Sequence, residues 1–262
     1  MSKQTKGFCK YCGKEYTRGG MLRHLSACKK RKAGLESENE KTKCGYFELV
    51  ILAKYMKEYW LIIEIRENAT LNDLDDFIRD IWVECCGHLS AFEIDGVRYE
   101  ECENMNRFWG LPAKSMNCKL KDVLVVGQSI EYEYDFGSTT ELVIKVQEYR
   151  LGTGKEDKIT LLSRNNPLEI FCSQCEKNKA QWVNPEGFYD GNPFWCESCM
   201  NELDEEADEY GCGEFLLPIC NSPRMGVCGY EGSASYPDQF LPDDEMKNEG
   251  RSCQDEFNIE NL

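Results

Sequence analysis

The chain has 262 residues, 41% of them hydrophobic and 11% aromatic. That excludes a disordered chain and allows one substantial core with small satellites. The formal net charge of −16 is unevenly divided: residues 1–33 hold ten Lys/Arg against one acid, a formal +9, so the remainder carries −25. An acidic body with a basic head is not a general coat for nucleic acid, and any phosphate contact is expected at the head. Met1 to Phe8 is polar and basic, without the apolar stretch of a secretory leader. The 46–65 stretch is interrupted by Glu48, Lys54, Lys57 and Glu58, so no membrane span is expected. A cytoplasmic location follows as an expectation. In a reducing compartment, sixteen cysteines point to metal rather than disulfides.

The first element is a zinc finger over residues 5–32. Cys9 and Cys12 form a C-x2-C knuckle, and His24 and Cys28 follow after eleven residues as H-x3-C. His24 and Cys28 are i and i+4 and share one helix face, which lets them close a tetrahedron with the knuckle. Phe8, Tyr16, Met21 and Leu25 are the expected small core. Arg18, Arg23, Lys29, Lys30, Arg31 and Lys32 lie on or just after the helix, and a cationic helix suits a phosphate backbone. Gly19 and Gly20 occupy the region where base-reading side chains would stand, which favours contact without sequence preference.

Residues 33–43 read as a polar linker, and residues 44–166 as an α+β core. Phe47, Leu49 and Ile51 alternate, as do Leu61, Ile63 and Ile65. A helix follows, with Thr70 as N-cap and Asp73 in the capping-box position. Its apolar face is Leu71, Leu74, Phe77, Ile78, Ile81 and Trp82. Asp95-Gly96 between apolar pairs predicts a tight hairpin. Ile130, Tyr132, Tyr134 and Phe136 alternate, a turn follows at Gly137-Ser138-Thr139, and Leu142, Ile144 and Val146 return. Ile159 to Leu162 is a last short strand. This order suggests a mixed sheet with one helix packed across a face, in a ubiquitin-like grasp arrangement.

Three stretches of this core carry a family resemblance: Tyr132-Glu-Tyr134-Asp135-Phe136-Gly137, Leu120-Lys-Asp122-Val-Leu124, and His88-Leu-Ser-Ala-Phe92-Glu-Ile-Asp-Gly96. They resemble the Ri-plasmid (pRiA4b) open-reading-frame-three-like family over roughly residues 44–165. The resemblance implies a link to plasmids, transposons and bacterial genomes, and brings no established activity. After the glycine the family usually continues with acids, a Trp and a His. Here Ser138-Thr139-Thr140-Glu141-Leu142 stands instead, so no role of those residues carries over.

Residues 167–232 hold a second zinc module and an acidic extension. Cys172 and Cys175, then Cys196 and Cys199, are two C-x2-C knuckles 20 residues apart, the donor set of a closed tetrahedral Zn(II) ribbon. Trp182, Phe188, Tyr189, Phe194 and Trp195 are its expected mini-core. The surrounding acids, with the run Glu202 to Glu209, repel phosphate, so this zinc is read as structural. Two Zn(II) per chain are expected.

The adjacent Cys85 and Cys86 are expected to point apart, as core or boundary thiols. His88 is read as structural. Cys212, Cys220 and Cys228, separated by seven residues each time, are read first as buried thiols and second as a third site lacking a ligand. Residues 233–262 are expected to be a tail.

No phosphate loop, dinucleotide fingerprint, nucleophile elbow or H-E-x-x-H occurs, and no residue is assigned a catalytic role. Three readings of function stay open. One is a zinc-binding accessory protein of bacterial or mobile-element origin that contacts DNA or RNA through the finger, with the acidic body free for a protein partner. Another is a protein–protein adaptor whose zincs are only staples. An enzyme centred on the Tyr134-Asp135-Phe136-Gly137 turn is a third.

Overall fold

Two faces of one sheet are buried, and a different layer covers each. The computed structural model describes residues 4–36, 43–101, 113–154, 157–207 and 215–243. The chain opens with a short hairpin, β1 (Lys6–Phe8) and β2 (Glu15–Thr17), followed by α1 (Arg18–Ala27) and α2 (Lys29–Glu36). The boundary expected at residue 33 falls inside α2, and residues 37–42 of the expected linker lie outside the described residues.

The sheet is built from β3 (Lys43–Ala53), β4 (Trp60–Arg66), β5 (Ser90–Ile94), β6 (Val97–Glu100), β7 (Ala113–Ser115), β8 (Ser129–Tyr134), β9 (Thr140–Thr153) and β10 (Ile159–Arg164). Its spatial order is β10-β4-β3-β9-β8-β5-β6-β7. Neighbours are antiparallel except β6 and β7, which run parallel, so the sheet is mixed and the fold is α+β with few helices. Asp95 and Gly96 both take left-handed backbone between β5 and β6, as a tight Asp-Gly hairpin requires.

The expected helix forms as α3 (Leu71–Ile78) and widens into a π-helical turn over Arg79–Val83. Its capping box is complete: the Asp73 amide donates to the Thr70 hydroxyl, and the Thr70 amide donates to the Asp73 carboxylate. The apolar stripe of α3 covers the face made by Phe47, Leu49, Ile51, Leu61, Ile63, Ile65, Tyr132 and Ile144.

The alternate residues of β3 and β4, Val50, Leu52, Trp60 and Ile62, are also buried. They pack with Leu162 against Cys9, Met21, Leu25 and Cys28 of the N-terminal module, forming a second core. The module is thus docked on the far face of the sheet. Gly7 permits the approach, because a Cβ there would lie 1.9 Å from the Arg164 carbonyl oxygen and 2.8 Å from Trp60. The Ser163 hydroxyl donates to the Phe8 carbonyl and the Asn166 amide to that of Lys6.

The same face carries two acids, Glu48 and Glu64, both buried. Arg31 on α2 reaches down between them, donating to Glu48 Oε2 at 2.9 Å and Glu64 Oε1 at 2.5 Å. Arg150 grips Glu64 from the side through both carboxylate oxygens at 2.7 Å. Burial would raise the Glu64 carboxyl, yet Arg150 and Arg31 outweigh it and hold it down to about 2. Glu48 faces Arg31 alone, and there burial wins and raises the carboxyl.

The C-terminal module is a small sheet, β12-β11-β13, of β11 (Trp182–Val183), β12 (Phe194–Trp195) and β13 (Leu217–Pro218), with helices α4 (Gly187–Asp190) and α5 (Glu197–Ala207). Residues 219–243 then run back along the main sheet as a strap. Asn221 is its anchor: its side chain exchanges hydrogen bonds with Asn165, and its amide donates to Asp238. Ser222 donates to the Trp82 carbonyl at 2.6 Å. Arg224 is fully buried and donates to Asp135 Oδ2 at 2.7 Å, the Ser138 carbonyl and the Thr140 hydroxyl. Part of the expected tail, residues 233–243, therefore belongs to this strap, and 244–262 lie outside the described residues.

Removing Arg31 leaves buried acid without its partner. Arg31→Ala in the zinc-loaded protein is expected to lower unfolding free energy by about 3 kcal/mol or more, read by urea denaturation. A change below about 0.5 kcal/mol, the ordinary scale of a surface substitution, would show that the ion pair does not hold the module.

Candidate metal centres

The N-terminal donors converge as the spacing predicts. Cys9 and Cys12 sit on a turn closed by the Gly13 amide donating to the Cys9 carbonyl, with Gly13 in left-handed backbone. α1 carries His24, and Cys28 caps its end. Cys9, Cys12, His24 and Cys28 bring their ligand atoms within 4.8 Å of one another, with Cys12 Sγ and His24 Nε2 3.2 Å apart. The His24 ring stacks on Tyr16 at 4.3 Å. Burial, and then Lys14 nearby, lowers the His24 pKa, in the direction of the neutral ring that a metal ligand must be. Met21 and Leu25 are buried as expected, while Phe8 and Tyr16 are half-buried.

The ribbon donors also converge. Cys172, Cys175, Cys196 and Cys199 lie within the same 4.8 Å, with Cys175 and Cys196 Sγ atoms 3.8 Å apart. A tetrahedron with Zn–S of about 2.3 Å needs S···S edges of about 3.8 Å. The first knuckle turns through Glu176, whose φ is 55° and whose amide donates to the Cys172 carbonyl. The Cys196 thiol is lowered to about 6, chiefly by the Ser198 hydroxyl and then by the Cys199 amide. Thiolate is thereby favoured at Cys196, while the neighbouring Cys199 thiol is raised to about 12, chiefly by that sulfur. The mini-core is smaller than expected: Trp195 is buried, but Tyr189 is 92% exposed and Phe188 is 51% exposed. Val183 and Leu217, paired across β11 and β13, are buried in the same small sheet.

A third convergence corrects the reading of the scattered thiols. Cys85, Cys86, His88 and Cys228 also bring their ligand atoms within 4.8 Å. Adjacent cysteines point apart only where the backbone stays regular. Here the helix ends, Glu84 is already extended, and Gly87 takes φ of 77°. Three donors within four residues were the legible signal; the remote partner Cys228 was not. Cys220 is not part of the group: it is buried, with its thiol raised to about 12 by burial and then by Asp238. Cys212 lies outside the described residues. Among the described residues every cysteine is free of disulfides. The described residues thus hold three Cys/His groups that can take metal ions.

Of the cationic residues expected to meet phosphate, Arg23, Lys29, Lys30 and Lys32 are exposed. Arg18 is half-buried, and its guanidinium lies 3.5 Å from the Lys57 carbonyl. Arg31 is a correction. It is buried in its ion pairs with Glu48 and Glu64, because it sits on the inner face of α2, and no ligand in solution can reach it. Asp135 is likewise engaged: it has φ of 63°, accepts from the Gly137 amide and is paired with Arg224.

Comparison with known proteins agrees with the core alone. Residues 47–168 match the model of the family described as plasmid pRiA4b ORF-3-like protein. That span covers most of the main sheet and excludes the finger and the ribbon donors. Among solved structures, a protein of unknown function from Methanosarcina mazei Go1 aligns with a TM-score of 0.38 and 23% identity, over 47% of this chain and 70% of that one. No curated protein matches. Among the described residues no helix is long and apolar enough to cross a membrane.

Cys172→Ser and Cys12→Ser are each expected to remove one zinc equivalent from the full chain, measured by native mass spectrometry. Cys12→Ser should also raise amide exchange in β4 and β10, where the finger covers the sheet. An unchanged metal content in either variant would refute that centre.

Proposed function

We propose that this protein is a zinc-stapled accessory factor of bacterial or mobile-element origin that contacts nucleic-acid backbone through its N-terminal finger. The observation that carries this reading is the orientation of the docked finger. Its apolar and Arg31-bearing side is spent on the sheet, and Arg23, Lys29, Lys30 and Lys32 are exposed on α1 and α2 of a strongly acidic protein. Arg18, Arg23 and Lys57 also line a groove of about 810 Å³ that opens beside Gly19 and Gly20 at the start of α1, with Glu58 as its one acid. Amides at a helix start and a pair of arginines favour phosphate oxygens. With glycine where base-reading side chains would stand, the contact is to backbone rather than to sequence.

A second reading has its own support. The finger already uses one face to bind protein, namely its own sheet. A module of this kind serves equally in an adaptor with structural zincs, and the acidic body is then the surface for a partner.

Salt dependence separates the two. Zinc-loaded protein titrated against mixed duplex DNA, single-stranded DNA and RNA should bind one class, with log affinity falling linearly in log salt. Lys29→Ala/Lys30→Ala/Lys32→Ala should weaken binding and flatten that slope by about 3, one unit per lost phosphate contact. Binding at no salt concentration, or an unchanged slope in the triple variant, would remove the finger from nucleic-acid contact and leave the adaptor reading.

A further inference from the structure

We propose that Cys85, Cys86, His88 and Cys228 form a third, exchangeable Zn(II) centre that latches the C-terminal strap onto the core. This reading is independent of nucleic-acid binding.

Three of four ligand edges match those of a tetrahedral site, and the fourth, from His88 to Cys86, is shorter. With Zn–S near 2.3 Å and Zn–N near 2.0–2.1 Å, ligand edges should be about 3.8 Å between sulfurs and about 3.6 Å between sulfur and nitrogen. The Cys85–Cys86 and Cys86–Cys228 sulfurs are 3.8 Å and 3.7 Å apart. His88 Nε2 is 3.6 Å from Cys228 Sγ and 3.0 Å from Cys86 Sγ. One imidazole and three sulfurs are a soft set that selects zinc over magnesium or calcium.

The backbone presents these atoms deliberately. Cys228 has φ of 56°, a left-handed conformation that a non-glycine residue rarely adopts. It turns the thiol towards the end of the π-helical turn instead of along the strap. Gly87 supplies the matching reversal between Cys86 and His88. The charges are also arranged for a thiolate cluster. Three thiolates on Zn(II) carry a net −1, and the buried Arg224 lies against them, 3.5 Å from Cys85 Sγ. Asp135 Oδ2 is 3.5 Å from His88 Nε2, but Arg224 holds that oxygen at 2.7 Å. The imidazole nitrogen is therefore left to the metal. On binding, the thiols lose their protons to solvent and zinc stays divalent.

This centre differs in kind from the other two. The finger and ribbon each bury two of their cysteines, whereas Cys86 and Cys228 are exposed. A cleft of about 340 Å³, lined by Asp75, Asp76, Arg79, Gly87 and His88, opens beside the imidazole and gives a chelator a way in. The finger and ribbon are also local, while this one joins residues 140 apart in sequence. Its loss would free the strap's outer turn while Asn221, Ser222 and Arg224 still hold the inner part. Zinc occupancy thus sets how tightly the turn around Cys228 lies on the core.

The test uses the full chain purified under reducing conditions with Zn(II). Native mass spectrometry should give three zincs for the wild type and two for Cys228→Ser and for Cys86→Ser. Under a mild chelator, one wild-type equivalent should leave at least tenfold faster than the others. That fast equivalent should be the one both variants lack, and its departure should raise amide exchange across 225–236. A second measurement needs no variant. In the zinc-loaded wild type, Cys86 and Cys228 should be alkylated at least tenfold more slowly than after that first equivalent is stripped. Two zincs in the wild type, three in both variants, or prompt alkylation of Cys86 and Cys228 in loaded protein would each overturn the proposal. A wild type with two zincs that falls to one in Cys12→Ser and in Cys172→Ser would overturn it while leaving the finger and ribbon standing.

Discussion

Arg31 between Glu48 and Glu64 is the contact on which the arrangement turns. Two carboxylates in the middle of an apolar sheet face are untenable alone, since burial opposes their ionisation. Arg150 serves one of them from within the sheet, and the other is met only from outside, by a residue on α2. The sheet therefore needs the finger as much as the finger needs its metal. A finger with Met21 and Leu25 as its own core is too small to be robust unaided. Sharing that core with Val50, Leu52, Trp60 and Ile62 makes the two one unit.

The C-terminal side follows the same logic with different chemistry. The strap buries Cys220 and Tyr230 and packs Tyr236 on Phe77, and polar side-chain bonds fix its path. Asn221 completes itself on Asn165 and Asp238, Ser222 meets the helix end at Trp82, and Arg224 fills the turn between β8 and β9. The guanidinium of Arg224 also lies over the Tyr134 ring at 4.8 Å. This explains the Tyr-Asp-Phe-Gly turn without invoking chemistry on a substrate. Asp135 takes a left-handed backbone so that its carboxylate faces inward to Arg224, and Tyr134 provides the face on which that cation rests.

The division of charge acquires a structural meaning from this. The described part of the N-terminal basic segment is folded: Arg31 is consumed in the interior, Lys10 is paired with Asp243, and Arg23, Lys29, Lys30 and Lys32 are exposed on α1 and α2. The remainder of the chain is acidic overall, so the positive charge is concentrated at the N-terminal module. A metal held by Cys9, Cys12, His24 and Cys28 would tie α1 to the hairpin.

Much of this was legible in the sequence. The C-x2-C pairs, the H-x3-C spacing, the Thr70 capping box, the Asp95-Gly96 hairpin and the alternation in β3, β4, β8 and β9 are all local patterns, and each acts over a few residues. The α+β class follows from their order. Even the second buried face had left a trace. Val50, Leu52, Trp60 and Ile62 make β3 and β4 almost continuously apolar, as strands covered on both sides are. What only the tertiary structure decided is which remote residues meet. Arg31 looks like one more lysine-rich neighbour until α2 lies on the sheet, and Cys228 looks like a lone thiol until the strap brings it to His88. Local spacing cannot encode a contact between residues 140 apart. Such a contact exists only once the sheet, the helix end and the strap have each found their place.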